Sequence, residues 1–157
     1  MIFRKLPIER SRNGTFRLNI DDNTRAVLLK LADELAALDN EHDTTSPIMR
    51  RLHPAAYHDD DEHDAEYQRL MSDELRASRA SGINEMREAL KGEDLTESQV
   101  YSLMRSCNSM RLVIGTQLNV SEDEEPDLPD EHPMAPFYDV YEYLGYLIEC
   151  AVRALSS

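Results

Sequence analysis

The sequence predicts a mostly α, single-domain helical bundle with an N-terminal β-hairpin. After residue 21, apolar residues recur at three- and four-residue spacing in successive segments, as they do on one face of a helix. Before residue 21, apolar and polar residues alternate, as they do on a half-buried strand. A chain of 157 residues fits one domain, and we find no internal repeat or domain-breaking linker in residues 1–157.

Residues 1–20 predict the hairpin. Ile2–Leu6 and Thr15–Ile20 are the candidate strands, and a turn-rich stretch containing Asn13 and Gly14 lies between them. Asn-Gly suits a primed two-residue turn because both residues tolerate positive φ. An isolated hairpin is only marginally stable, so we expect a layer of helices to pack against it.

Residues 21–119 predict helices. Asp21 or Asp22 is the expected cap of the first, and a long helix is expected from about residue 61 to residue 91. Gly92 follows it, where a C′ glycine commonly ends a helix in the left-handed conformation. The apolar positions predicted for the inner side of the long helix are Tyr67, Leu70, Met71, Leu75, Ile83, Met86 and Leu90.

The strongest sequence pattern for a helix start lies at the beginning of the next helix. Thr96 and Gln99 form a capping-box pattern, and Leu95 with Val100 supplies a hydrophobic staple around it. Residues 120–136 follow as an acidic, proline-rich loop, and residues 137–157 predict a C-terminal helix. The core stripe predicted for that last helix is Val140, Leu144, Leu147, Ile148, Ala151 and Leu155.

The charge balance excludes several classes of partner. The formal net charge of −14 repels phosphate backbones and anionic lipid, so we expect neither direct nucleic-acid binding nor membrane binding. Residues 1–20 carry a local charge of +4, which we expect to complement the protein's own acidic helices, with a nucleic-acid contact as the alternative. No export signal is recognisable and only two cysteines are present, which together favour a reducing cytoplasm.

Catalytic and metal-binding patterns are weak. The string HDDDEHD (residues 58–64) contains histidine and carboxylate ligands, but no second ligand-rich element supports a metal site. Acids at a helix N-terminus are well explained by the helix dipole. We therefore expect no metal, no cofactor and no catalytic residue, and classify the protein as a non-enzyme.

Tyrosines and cysteines are the remaining candidates. Tyr138, Tyr141, Tyr143 and Tyr146 crowd the last helix and cannot all face one core stripe. They are candidate interface residues, with packing against the hairpin as the equal alternative. Cys107 lies on an apolar stripe, where a cysteine commonly acts as a small buried hydrophobe, and Cys150 lies at the edge of its stripe.

Four short strings carry a resemblance over nearly the whole chain: RRLHPAAY, SDELR, MRLVIGT and YLGYLIE. With the helix faces described above, they resemble the actinobacterial oxidative-stress regulator (AosR) family, formerly a domain of unknown function. The resemblance implies a cytosolic thiol-sensing protein that is encoded near the Clp adaptor ClpS. It also implies joint action with an extracytoplasmic-function sigma factor on cysteine-biosynthesis genes. Cys107 and Cys150 are then the candidate redox pair.

The resulting hypothesis is a non-enzymatic regulatory protein that acts through protein–protein contact, with a sigma factor as the candidate partner and with thiol-redox dependence. An adaptor or scaffold linked to Clp proteolysis is the first alternative. A small metal-dependent enzyme at residues 58–64 is the second.

The charge balance generates the first testable prediction. The protein alone is expected not to bind duplex DNA at about 150 mM salt, because only the local +4 of residues 1–20 attracts phosphate. A mobility-shift assay checks this, and a submicromolar complex would contradict it.

Overall fold

The computed structural model describes residues 5–39, 60–118 and 135–157. Within those ranges the protein is mostly helical with a small antiparallel sheet at its N-terminal side, which confirms the predicted fold class. No described helix is both long and apolar enough to cross a membrane. The strands are β1 (Ile8–Arg10), β2 (Phe16–Leu18) and β3 (Asp94–Leu95), and the helices are α1 (Asp22–Asp39), α2 (Asp61–Lys91), α3 (Glu97–Gln117) and α4 (Ala135–Ser156).

The hairpin is present, with its first strand later in the chain than the sequence predicted; residues 2–4 of the predicted strand lie outside the described residues. β1 covers Ile8–Arg10 and pairs with β2 so that Ile8 lies opposite Leu18. The amide of Ser11 donates to the Thr15 carbonyl at 2.9 Å, which leaves a three-residue loop instead of a two-residue primed turn. Gly14 ends that loop with φ 78°, the left-handed conformation that such loops place at their last position.

A third strand was not predicted. β3 pairs antiparallel with β2, with Phe16 opposite Leu95. The chain enters it directly from α2 through Gly92, whose φ of −118° is extended and not left-handed. The expectation of a C′ glycine was therefore wrong, because the residue starts a strand connection instead of a reversal. Two residues of strand are too few to show alternation in a sequence.

The first half of α2 corrects the predicted core. Ile83, Met86 and Leu90 are buried as expected, but Leu70 is 71% exposed. The other three predicted positions in this half are only partly buried. A helix of 31 residues is about 46 Å long, and the described core covers only its C-terminal half. The largest fully buried side chains are Phe16, Ile8, Leu28, Ile83, Met86, Leu90, Leu95, Leu103, Leu144, Leu147 and Val100.

The predicted start of α3 is confirmed in detail. The Thr96 hydroxyl accepts from the Gln99 amide at 3.1 Å, and the Gln99 side chain accepts from the Thr96 amide at 2.9 Å. Leu95 and Val100 are both buried beside this cap. Because the cap satisfies two backbone donors that have no partner inside the helix, the start of α3 is fixed by local sequence.

Arginines of the N-terminal third close the C-terminal ends of two helices. The Arg25 guanidinium donates to the carbonyls of Leu90 and Gly92, the latter at 2.9 Å, at the end of α2. Arg10 donates to the last carbonyls of α4, Ala154 and Leu155, at 3.2 Å each. Helix ends present carbonyls without intrahelical partners and a partial negative charge, so cations stabilise them.

The cap at the end of α2 generates the second prediction. Replacing Arg25 with Met removes charged hydrogen bonds to two carbonyls, so we expect the free energy of unfolding to fall by about 1–3 kcal/mol. Urea unfolding measures this. The control is Arg153→Met, which breaks only an exposed pair with Glu149 and should change stability by less than about 1 kcal/mol. Equal losses in the two variants would contradict the capping role.

Candidate functional site

Both cysteines lie in the core, on the two helices that pack most extensively together. Cys107 on α3 is 0% exposed and Cys150 on α4 is 3% exposed, and both are free thiols. Cys107 lies on the apolar stripe of its helix, as its spacing predicts. Cys150, which the sequence places at the edge of a stripe, is also buried, because Ala151 and Ala154 beside it leave room for close packing.

The pKa of the Tyr143 hydroxyl depends on the charge of both thiols. Burial, followed by the negative charges that Asp21, Cys107 and Cys150 carry when ionised, raises the pKa of Tyr143 from 10.0 to about 12. One hydroxyl is thus within electrostatic range of both thiols. The hydrogen bond between the Tyr146 hydroxyl and Cys150 raises the pKa of Tyr146 as well. The sequence had given no reason to group the two cysteines with Tyr143 and Tyr146.

Burial controls the reactivity of Cys107. Removal from water raises the pKa of its thiol from 9.0 to about 12, because a charged thiolate is poorly stabilised in the apolar core. The thiolate is the form that attacks peroxides and disulfides. In the folded protein, with its thiol buried, Cys107 therefore remains protonated near neutral pH and reacts slowly.

The four candidate interface tyrosines form two pairs. Tyr138 and Tyr141 are stacked with ring centroids 6.4 Å apart, whereas Tyr143 and Tyr146 are tilted at the same separation. Tyr146 is the most exposed of them at 44%. Because residues 141 and 143 are two apart, about 200° separates them around α4. The tyrosines therefore border both margins of the helix and do not form one patch.

Arg111 covers the first pair. Its guanidinium carbon lies 4.5 Å from the centre of the Tyr141 ring, a cation–π distance. The guanidinium also packs over Gly145, where a Cβ would lie 3.4 Å from the Arg111 Nε, an ordinary van der Waals contact. Arg111 of α3 thus contacts α4 on the side of α4 that lies away from Cys150.

The proposed metal string lies partly outside the described residues. His58 and Asp59 are among the residues that the structure does not describe. Asp60 is the N-cap of α2, and its carboxylate accepts from the His63 amide at 3.1 Å and contacts the His63 ring. Asp60 therefore serves a helix start, the role that the dipole argument favours. Among the described ranges, no three potential ligands cluster closely enough to hold a metal.

An apolar groove lies where α1, α3 and the first turns of α4 meet. Its volume is about 290 Å³, and nine of its eleven lining residues are apolar. The two charged residues, Lys30 and Glu34, lie one turn apart on α1. Val27 and Phe137 line it while remaining 40% and 47% exposed. We refer to this feature as the α1–α3–α4 groove.

The groove was missed by reasoning from sequence. Val27 and Phe137 are apolar residues that belong to none of the predicted core stripes. Their position outside those stripes was the signal that the sequence offered for the groove. Two apolar residues outside a stripe are common on protein surfaces and mean little singly. Only the packing of three helices brings them to one opening.

The fold and these features define the class of protein: a small, mostly α domain with a three-stranded sheet, two buried thiols and an apolar groove. The chain belongs to the family described as "Domain of unknown function (DUF2017)", whose model matches residues 5–155. Family membership therefore extends over nearly every element described above.

Relatives with curated names lie in mycobacteria. The "Oxidative stress regulator AosR" of Mycobacterium tuberculosis (strain ATCC 25618 / H37Rv) is 24% identical over 193 residues, which cover 98% of this chain and 88% of that protein. A Mycobacterium leprae (strain TN) protein carrying the AosR name is 24% identical over 186 residues, covering 94% of this chain and 86% of its own length. No solved structure matches significantly.

Burial of Cys107 generates the third prediction. The unfolded thiol ionises near pH 9.0 while the folded thiol stays protonated up to about 12. The unfolded state then binds fewer protons, so the contribution of Cys107 to stability is full below pH 9.0 and is lost towards 12. The free-energy difference between the wild type and Cys107→Ala should therefore fall by about 1.4 kcal/mol per pH unit in that range.

Urea unfolding at a series of pH values measures that slope. The control is Met110→Ala, which truncates a buried side chain of the same helix that cannot titrate. Its destabilisation should not depend on pH. The same pH dependence in both variants would show that Cys107 burial is not its cause.

Proposed function

We propose that this chain is a non-enzymatic regulator of the response to oxidative stress that acts by contact with another protein. The single observation that carries the proposal is the near-complete match to relatives named as oxidative stress regulators, over 94–98% of this chain. Coverage of this extent makes the shared unit the whole described fold and not one motif. The partner class we propose, an extracytoplasmic-function sigma factor, is the one that the family resemblance implies.

Thiol oxidation is the proposed input. Hydrogen peroxide would remove two electrons from Cys107 and Cys150. One thiolate would attack the O–O bond to give a sulfenic acid and water, and the second thiol would displace the hydroxyl as a second water. The products are one disulfide and two waters. Support comes from the burial of both thiols on paired helices and from their common electrostatic range of Tyr143.

Helix packing supplies the proposed transmission. Packed helix axes lie about 8–10 Å apart, whereas a disulfide requires Cα atoms about 5.5 Å apart. Closing the bond would therefore displace the C-terminal turns of α4, where Arg10 holds the carbonyls of Ala154 and Leu155. Tyr146, which lies one turn before Cys150 and is 44% exposed, would move with them. We propose that this movement changes the surface that the partner contacts.

The fourth prediction tests the thiol input. After peroxide treatment, non-reducing mass spectrometry of the digested protein should find a peptide pair linked through Cys107 and Cys150. An affinity capture from a cell extract, run with reductant and with oxidant, should recover one partner at different yields. Cys150→Ser should remove both the linkage and the difference. A variant that keeps the difference, or a wild type without the linkage, contradicts the redox input.

The fifth prediction tests the tyrosine surface. Tyr146→Ala is expected to reduce partner capture at least about tenfold, as the loss of an aromatic anchor at an interface does. Tyr101→Ala is a matched control, because Tyr101 is also 44% exposed and lies near the start of α3, not on the tyrosine-rich helix α4. Equal capture by the two variants would remove Tyr146 from the proposed contact.

A further inference from the structure

The α1–α3–α4 groove has the size of a receptor for side chains. An engineered cavity of about 150 Å³ holds one benzene ring, and the groove volume is about 290 Å³. It therefore has room for about two large apolar side chains. Its base is made of core residues such as Val113 and Ile114, which are almost fully buried and are held in place by α3.

The rim of the groove differs from the rest of the apolar surface. Val27 from α1 and Phe137 from α4 line it, and both keep 40% or more of their surface exposed. Each lies at the edge of a helix whose other apolar residues are mainly turned inward. Exposed apolar residues that surround a preformed depression mark interaction sites more often than isolated ones do.

The charge around the groove selects the kind of occupant. Lys30 and Glu34 at the groove cancel, so the local contribution is neutral. Residues 135–142 at the start of α4 supply Phe137 and Val140 to the groove. They also carry two exposed acids, Asp139 and Glu142, and no lysine or arginine. The described charge beside the lining residues is therefore negative, in a chain of net charge −14.

We propose that the α1–α3–α4 groove binds an amphipathic helix of a partner protein, with apolar residues on one face and lysines or arginines on the other. The apolar face would place anchors at i, i+3 or i+4 in the groove, as helix-in-groove complexes do. The basic face would meet the negative field, which accelerates association and excludes acidic helices. This inference rests on the proposed function, because it specifies the chemistry of the partner segment.

The probe for the test is a fluorescein-labelled synthetic helix of leucine and lysine, about five turns long, with leucines at i, i+3, i+4 and i+7. A shuffled peptide of the same composition and a peptide with glutamate in place of lysine are its controls. At about 150 mM salt, fluorescence anisotropy should show the amphipathic peptide binding at least tenfold more tightly than either control. Raising the salt concentration should weaken this binding.

Variants of the protein locate the site. Phe137→Ala and Val27→Ser change exposed rim residues, so circular dichroism should show an unchanged fold. Each should weaken peptide binding about tenfold, the scale of an anchor loss. Val152→Ala is the matched control, because Val152 is on α4, is 48% exposed and does not line the groove. It should bind the peptide as the wild type does.

Four results would overturn the inference. Equal binding of the shuffled peptide would mean non-specific charge attraction, and unchanged binding by Phe137→Ala would place the peptide elsewhere. Failure of the peptide while the neutral dye N-phenyl-1-naphthylamine binds, and is lost in Phe137→Ala, would make the groove a small-molecule pocket. If Phe137→Ala still captures the partner with normal redox dependence, the groove inference fails and the proposed function stands. A wild type that captures no partner in either redox state counts against the proposed function instead.

Discussion

The burial of α3 on several sides is the constraint on which the rest of the structure depends. The helix packs against α2, α4, α1 and β3, and its residues from Val100 to Ile114 supply much of the core. The capping box at Thr96 fixes where it starts, so the position of every later residue around the helix is set as well. Cys107 is buried for this reason, and the same helix carries Val113 and Ile114 to the base of the groove.

Several arginines of this acidic chain make contacts within the fold. Arg10 and Arg25 donate to carbonyls at the C-terminal ends of α4 and α2, and Arg17 pairs with Glu93 across the sheet at 3.1 Å. Arg111 lies on the Tyr141 ring. The 17 lysines and arginines are outnumbered by 31 acids, which gives the chain a net charge of −14. Such a field would attract the basic partner segment proposed above over about a Debye length and would disfavour nucleic acid and anionic lipid.

Thiol sensing and thiol burial oppose each other in this fold. A pKa of about 12 keeps Cys107 protonated and slow to react. A switch built on this thiol therefore needs an opening of the α3–α4 contact before or during oxidation, and the rate of that opening would limit the response. The proposed switch would then respond to sustained exposure to oxidant and not to a brief pulse. In the proposed switch the C-terminal turns of α4 would be the part that opens, because the Arg10 side chain holds the carbonyls of Ala154 and Leu155 against β1.

Local sequence determined the helices, because caps and apolar spacing act within one turn. Asp21 accepts from the Thr24 amide at 2.7 Å as the cap of α1, and α2 spans the predicted residues 61–91. The two thiols and four tyrosines were likewise found from sequence, since their residue types are visible there. Tertiary structure alone decided what depends on distant residues: the strand Asp94–Leu95, the exposure of Leu70, the separation of the tyrosines into two pairs, and the groove. Each of these follows from which surfaces of separate helices meet, and contacts between distant parts of the chain leave no periodic signal in either segment.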